Sequence, residues 1–405
     1  MISDFGFQEK FRWGIIVAAF LIMAVISIYQ YSWFLFAYAI REQFGWALDT
    51  IGLTFTVYTY TATFVQPLSG YVADSMGPRP VSVVASMLVA AGLLLASFTS
   101  SPKLFYLYYG LGGLGVGILY GVSTSCAIKW FPDRRGFATG TVVFGFGAGT
   151  AIFNLIIESL LKAQGLSSTL RILSVAMMLL LLPLSLFYKY PDGRAPALSS
   201  LGTSNFGDDL PFKPLAIFKT YQWYLIYFSF VFTVSIVLLF GAQMKMLADE
   251  FAIPVPYFSI VLVLFPLGNG LSRVVSGVIS DKIGRGRTMV LFYALLAISI
   301  LAFLAFAHIP ALFVTTVFAA SLLGGAPFAL YPATIGDFYG AKYATTNYGI
   351  TYTAKAWAGL ISGWFSAYLV IRFGSYRIPL IVLAICSLLA AIFSHPKLMK
   401  PPIKR

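Results

Sequence analysis

The chain has 405 residues, 59% of them hydrophobic and 10% charged, with a formal net charge of +13. Soluble globular proteins carry about 25% charged residues, so this composition excludes a water-exposed globule and implies an integral membrane protein. The positive balance does not indicate nucleic acid, because the basic residues sit in short segments between apolar runs.

Apolar runs separated by charge or turn clusters predict twelve transmembrane helices, near residues 14–40, 50–73, 80–100, 104–128, 137–160, 168–188, 222–246, 255–280, 287–308, 311–335, 344–371 and 376–394. The first run is too long for a cleavable signal peptide and is expected to be retained. In the fourth, the run GLGGLGVGI at 110–118 suits close helix contact. Residues 190–221, with Pro191, Asp192, Gly193 and Asp208-Asp209, form the longest polar interruption. The expected organisation is an all-α membrane protein: an N-terminal six-helix bundle over 1–189, a cytoplasmic central loop over 190–221, and a C-terminal six-helix bundle with a short basic tail over 222–405. With the N-terminus in the cytoplasm, 18 basic residues fall inside and 7 outside, which predicts both termini cytoplasmic. The location expected is the cell (plasma or inner) membrane.

The halves repeat. Gly70, Asp74, Gly77 and Arg79 close the second predicted helix, and Gly277, Asp281, Gly284 and Arg285 close the eighth, in a shared G-x-x-x-D-x-x-G pattern. The first glycine permits close helix contact, the aspartate can pair with arginine or cap a helix, and the second glycine allows a tight turn. This duplicated motif resembles that of the major facilitator superfamily over the whole chain. The resemblance implies two bundles rocking about a central site, with the motif residues controlling gating and not touching substrate.

All fourteen acids fall in predicted loops, tails or helix ends, whereas two cations lie deep in the apolar runs. Arg273 is eight residues before Asp281, about 12 Å along a helix, and Lys355 is thirteen residues after Lys342, about 20 Å. Charges in spans face an interior pathway, or snorkel to an interface. An arginine fork matches a carboxylate and a lysine offers a point charge, so two unneutralised cations imply an anionic substrate with one or two carboxylates. Tyr348, Tyr352 and Lys355 share a helix face, as do Asn269 and Arg273, and as do Ser27, Gln30 and Tyr31. Tyr120 follows the glycine run.

QYSW at 30–33, WFPDRRGFATG at 130–140, NGLSRVVSGVISDKIGR at 269–285 and NYGITYTAKA at 347–356 look like the oxalate/formate antiporter branch, related to monocarboxylate transporters. That resemblance implies substrate binding by Arg273 and Lys355, with Gln30, Tyr31 and Tyr120 beside them. Gly324 and Phe328 stand where the branch has a tryptophan and a tyrosine, and Phe146 where it has a tyrosine. These losses are expected to loosen the box and favour a larger or less polar carboxylate. Asn269 stands where the proton-coupled symporters carry aspartate, and span 1 lacks their lysine.

The functional expectation is carboxylate exchange by alternating access, with a proton-coupled monocarboxylate symporter as the alternative and multidrug efflux or a non-transporting sensor as more distant ones. The chain is expected to be no enzyme and to work as a monomer in the bilayer, without cofactor, metal or nucleic-acid partner. Cys126 and Cys386 lie inside apolar runs, and His308 and His395 at run ends, so neither a disulfide nor a metal framework is indicated.

Overall fold

The computed structural model describes residues 2–131, 134–191, 212–340 and 343–402. Every regular element among these residues is helical. Among the described residues, nine helical runs are long and apolar enough to cross a membrane. One of them, Phe137–Leu186, is a pair of rods, because Gly165 breaks it with φ 72°. Leu48–Met76 has the length but is diluted by threonine and tyrosine, and Arg377–Phe393 is a shorter apolar rod of 17 residues.

Twelve rods follow in chain order. Span 1 is Ile2–Ile26, Ile28–Tyr31 and Trp33–Phe44; span 2 is Leu48–Met76; span 3 is Pro78–Ala96; span 4 is Pro102–Trp130. Span 5 joins Arg135–Ala148 to residues 150–164, and span 6 covers 166–186. Span 7 is Tyr221–Glu250, span 8 Val255–Ile283 and span 9 Arg285–Phe306. Span 10 is Pro310–Gly324 with Pro327–Tyr339. Span 11 runs through Ala344–Tyr352, Ala354–Leu360, Ile361–Phe365 and Ser366–Phe373, and span 12 is Arg377–Phe393. Each expected helix is present within a few residues, except that the first begins at Ile2, twelve residues earlier than expected. Of the expected central loop, Asp192, Gly193, Asp208 and Asp209 lie outside the described residues, as does Lys342.

The interruptions have local causes. In span 1, Ser27 and Ser32 divide the helix, and the Ser27 hydroxyl donates to the Ala24 carbonyl at 2.7 Å, a side-chain bond that competes with the helical ladder. Span 8 contains Pro266. Span 11 carries one π-helical turn at Ile361–Phe365, a form found mostly as single turns and often at functional sites.

The two motif turns share one side of the molecule, called here the motif side. Gly77 and Gly284 sit at φ 88° and 90°, where an L side chain is strained. The Arg12 guanidinium lies 4.8 Å from the Phe131 ring and Tyr221 donates to the Leu398 carbonyl at 3.2 Å, so both ends of the described chain are on this side. The opposite, far side is where the halves meet tightly. A Cβ on Gly52 would come 2.3 Å from the Gly363 carbonyl oxygen, and Thr56 of span 2 donates to the Gly359 carbonyl of span 11 at 3.2 Å. No residue of span 2 from Ile51 to Thr63 is exposed, whereas Phe64, Leu68 and Tyr71 towards the motif side are 49%, 63% and 75% exposed. The span-4 glycines pack as expected: a Cβ on Gly117 would lie 2.2 Å from the Ala62 carbonyl oxygen.

The motif contacts differ from expectation at the first glycines. A Cβ on Gly70 or Gly277 would meet nothing within 4 Å, so neither glycine makes the close contact its position suggested. The halves are shut at the far side, which leaves these motif-side faces uncovered. Among the described residues Asp74 pairs with Lys129 of span 4. In the second copy Asp281 does meet Arg285, at 2.7 Å, and Arg285 also reaches Asp337 of span 10 at 3.1 Å.

Candidate functional site

Arg273 and Lys355 are 5% and 2% exposed. Snorkelling would leave the head group at an interface, and burial this complete rules it out for both. Among the described residues no carboxylate pairs with either cation. Leaving a charge unpaired in the interior is costly, and the surroundings show what compensates.

Arg273 is docked on the protein. One Nη donates to the Val143 carbonyl of span 5, in the other half, and the second donates to Asn269 Oδ1 at 3.3 Å. Asn269 is one turn earlier on span 8, so helical spacing alone places its amide beside the guanidinium. Its Oδ1 also accepts the Tyr31 hydroxyl of span 1 at 3.0 Å. The guanidinium stacks 5.0 Å from the Phe328 ring centroid, within cation–π range. Arg273 Nε and Asn269 Nδ2 remain buried without a partner.

Lys355 is held differently. Its Nζ sits 5.7 Å from the Phe146 ring and 5.5 Å from the Tyr352 ring. Ring faces attract a cation but do not accept its three N–H bonds as an oxygen would. Those rings belong to a wall built from both halves. Tyr31 meets Phe146 at 5.7 Å, Tyr120 meets Phe146 at 5.1 Å and stacks on Tyr352 at 6.0 Å, and Tyr352 meets Phe328 at 6.4 Å and Tyr348 at 5.5 Å. The structure therefore brings together nine of the expected residues through direct contacts. Gln30 adjoins Tyr31 on the short Ile28–Tyr31 helix, with both amide atoms buried and unpartnered.

Three features were missed from the sequence. Phe230 of span 7 joins the wall, 5.9 Å from Tyr352 and 6.0 Å from Phe328; it lies in the aromatic-rich YFSFVF, where nothing singles it out. The Val143 acceptor is a backbone atom, and no residue type announces it. Asn154, a lone polar side chain in the apolar run TAIFNLII, carried a readable signal. The expected loosening at span 10 is not found at Gly324, because a Cβ there would lie 2.3 Å from Val237 Cγ2, and span 7 fills the space. The motif residues Gly70, Asp74, Gly77, Gly277, Asp281, Gly284 and Arg285 stand at the motif-side helix ends, with Arg79 just inside span 3. No group of three or more histidine, cysteine or acidic residues suited to a metal occurs among the described residues.

The arrangement sets two buried cations, the Tyr31 hydroxyl and the unpartnered amide groups of Gln30 and Asn269 among apolar ring faces. Its chemistry suits a small anion.

Comparison with known proteins follows the same lines. The chain is 30% identical over 395 residues to the oxalate:formate antiporter of Oxalobacter formigenes, covering 96% of this chain and 93% of that protein. It is 34% identical over 393 residues to an uncharacterized 38 kDa protein encoded in the 23S RNA operon of Thermoproteus tenax, covering 96% and 97%. Over 110 residues, 26% of this chain and 21% of the relative, it is 34% identical to monocarboxylate transporter 9 of Pongo abelii. The family model of the Major Facilitator Superfamily matches residues 15–245 and again 226–404. By that double match and by its twelve helical rods, this multi-pass membrane protein belongs to the Major Facilitator Superfamily and is a transporter of its oxalate/formate antiporter branch.

Proposed function

We propose that the chain exchanges small carboxylate anions across a membrane by alternating access, and that Arg273 and Lys355 form the anion site with Gln30, Tyr31, Tyr120, Phe146, Asn269, Phe328, Tyr348 and Tyr352 around it. The observation that carries this reading is the pair of buried cations without a carboxylate partner among the described residues, inside a wall supplied by both halves. Desolvated like charges repel strongly, and a bound anion relieves that repulsion. A loaded carrier then crosses more readily than an empty one, which favours exchange. Residues 1–189 and 222–405 act as the two rocking units. The duplicated motif, including Asp74, Arg79, Asp281 and Arg285, acts as the gate on the cytoplasmic side, where both termini lie, and the carrier sits in the cell (plasma or inner) membrane. The carrier works as a monomer, without cofactor and without catalysing a reaction.

Counterflow in proteoliposomes tests this. Vesicles are loaded with unlabelled oxalate, formate, lactate, pyruvate or malonate, and labelled uptake is followed with and without a pH step. Uptake that needs an internal anion and ignores the pH step is expected. Uptake into empty vesicles that follows the proton gradient would replace exchange by proton-coupled monocarboxylate symport.

A further inference from the structure

Pro266 removes one N–H from the ladder of span 8, so the carbonyl four residues earlier, at Leu262, has no helical donor. Leu262 is fully buried, and in a bilayer a freed backbone carbonyl needs a partner from another element. The partner is Asn154 of span 5, whose Nδ2 donates to the Leu262 carbonyl at 3.0 Å from the opposite half of the molecule. Asn154 is itself fully buried, and its Oδ1 accepts the hydroxyl of Ser32 at 2.6 Å.

Ser32 follows Tyr31 directly at the break in span 1. Two polar bridges thus run side by side from that break to the bend in span 8. One is Tyr31 to Asn269 to Arg273, and the other is Ser32 to Asn154 to Leu262. Asn269 and Arg273 follow Pro266 by three and seven residues, so the direction of the helix beyond the proline decides where the guanidinium sits.

We propose that Asn154 is a positioning residue for Arg273. Its amide replaces the donor that Pro266 lacks, fixes the bend that holds Arg273 in the box, and keeps the far side shut until the halves separate. The positioning role rests on the reading of Arg273 as the anion contact; the closing role does not.

The test is a cycle of Asn154→Ala and Pro266→Ala. Spin labels replace Arg41, which lines a far-side groove with Val370 and Ile371, and the exposed Arg372, in a background where Cys126 and Cys386 are alanine. Distances are measured without any anion. Asn154→Ala alone should add a longer-distance population. In the Pro266→Ala background the Leu262 carbonyl regains a helical donor, so Asn154→Ala should add little more. No shift in the single variant, or equal shifts in both backgrounds, overturns the proposal. Should Asn154→Ala fail to fold, Asn154→Ala/Pro266→Ala is required to fold, and its failure also overturns it. In oxalate counterflow the Asn154→Ala variant should raise KM roughly tenfold while the maximal rate changes less. An altered distance distribution with unaltered KM removes the positioning role. If neither wild type nor any variant moves oxalate, formate, lactate, pyruvate or malonate, the carboxylate reading fails, and the distance data still decide the closing role.

Discussion

The two buried cations are held in opposite ways. Arg273 is anchored by a backbone carbonyl, an amide oxygen and a ring face, so its fork is aimed before any ligand arrives. Among the described residues Lys355 rests against ring faces and has no oxygen partner. In the proposed anion site, that difference would give them different tasks. An anchored fork selects geometry, and a lysine without an oxygen partner supplies a charge that the ligand must neutralise. In this reading Lys355 makes the empty carrier reluctant to cross, and Arg273, already satisfied in part, does not.

The sharpest way to break that contrast is Lys355→Ala. Removing one partner of a buried charge interaction costs about 3–5 kcal/mol, so oxalate counterflow should fall by two or more orders of magnitude. Uptake of the monoanion formate should survive better and depend less on an internal anion. Full wild-type exchange in this variant would sink the two-cation site. Arg273→Lys keeps the charge and loses the fork. Hydrogen bonds to charged groups contribute about 1.5–3 kcal/mol, and kcat/KM-type initial rates should drop by one to two orders of magnitude, more for carboxylates than for a spherical anion competitor. Tyr352→Leu removes one of the two rings against Lys355, worth about 2 kcal/mol when desolvated, whereas Tyr352→Phe should be close to wild type; equal losses would assign the effect to the hydroxyl. Asn269→Ala should be mildest, about 1.5 kcal/mol, because its bond to the guanidinium is long at 3.3 Å and Arg273 keeps its Val143 anchor, and it should be seen as a raised KM.

Much of this was legible in the sequence, for physical reasons. A run of twenty apolar residues has few alternatives to a spanning helix, and a cation inside one has few places to go other than an interior pathway. Hence the twelve rods, and Arg273 and Lys355 facing one box, could be read directly. What could not be read depends on partners distant in the chain. The Arg273 anchor on Val143 is a backbone atom of another span. The filling of the Gly324 position by Val237 is set by how closely spans 7 and 10 approach. Gly70 and Gly277 stand clear because they belong to the side that is apart here. Their residue types are the same whether the gate is open or shut, so the pattern at these positions carries no mark of the state.

The far-side seam has an evolutionary consequence. At Gly52 and Gly363 the backbones of the two halves approach so closely that a methyl group on either would overlap a carbonyl oxygen of the other. Drift at these two positions is therefore blocked in both directions at once: neither can change while the other stays, and no larger partner restores the fit. At Gly70 and Gly277 the present state leaves room for change, and any constraint there must come from the alternate state. Variation among descendants of this chain should thus record two separate selections, one for each conformation of the cycle.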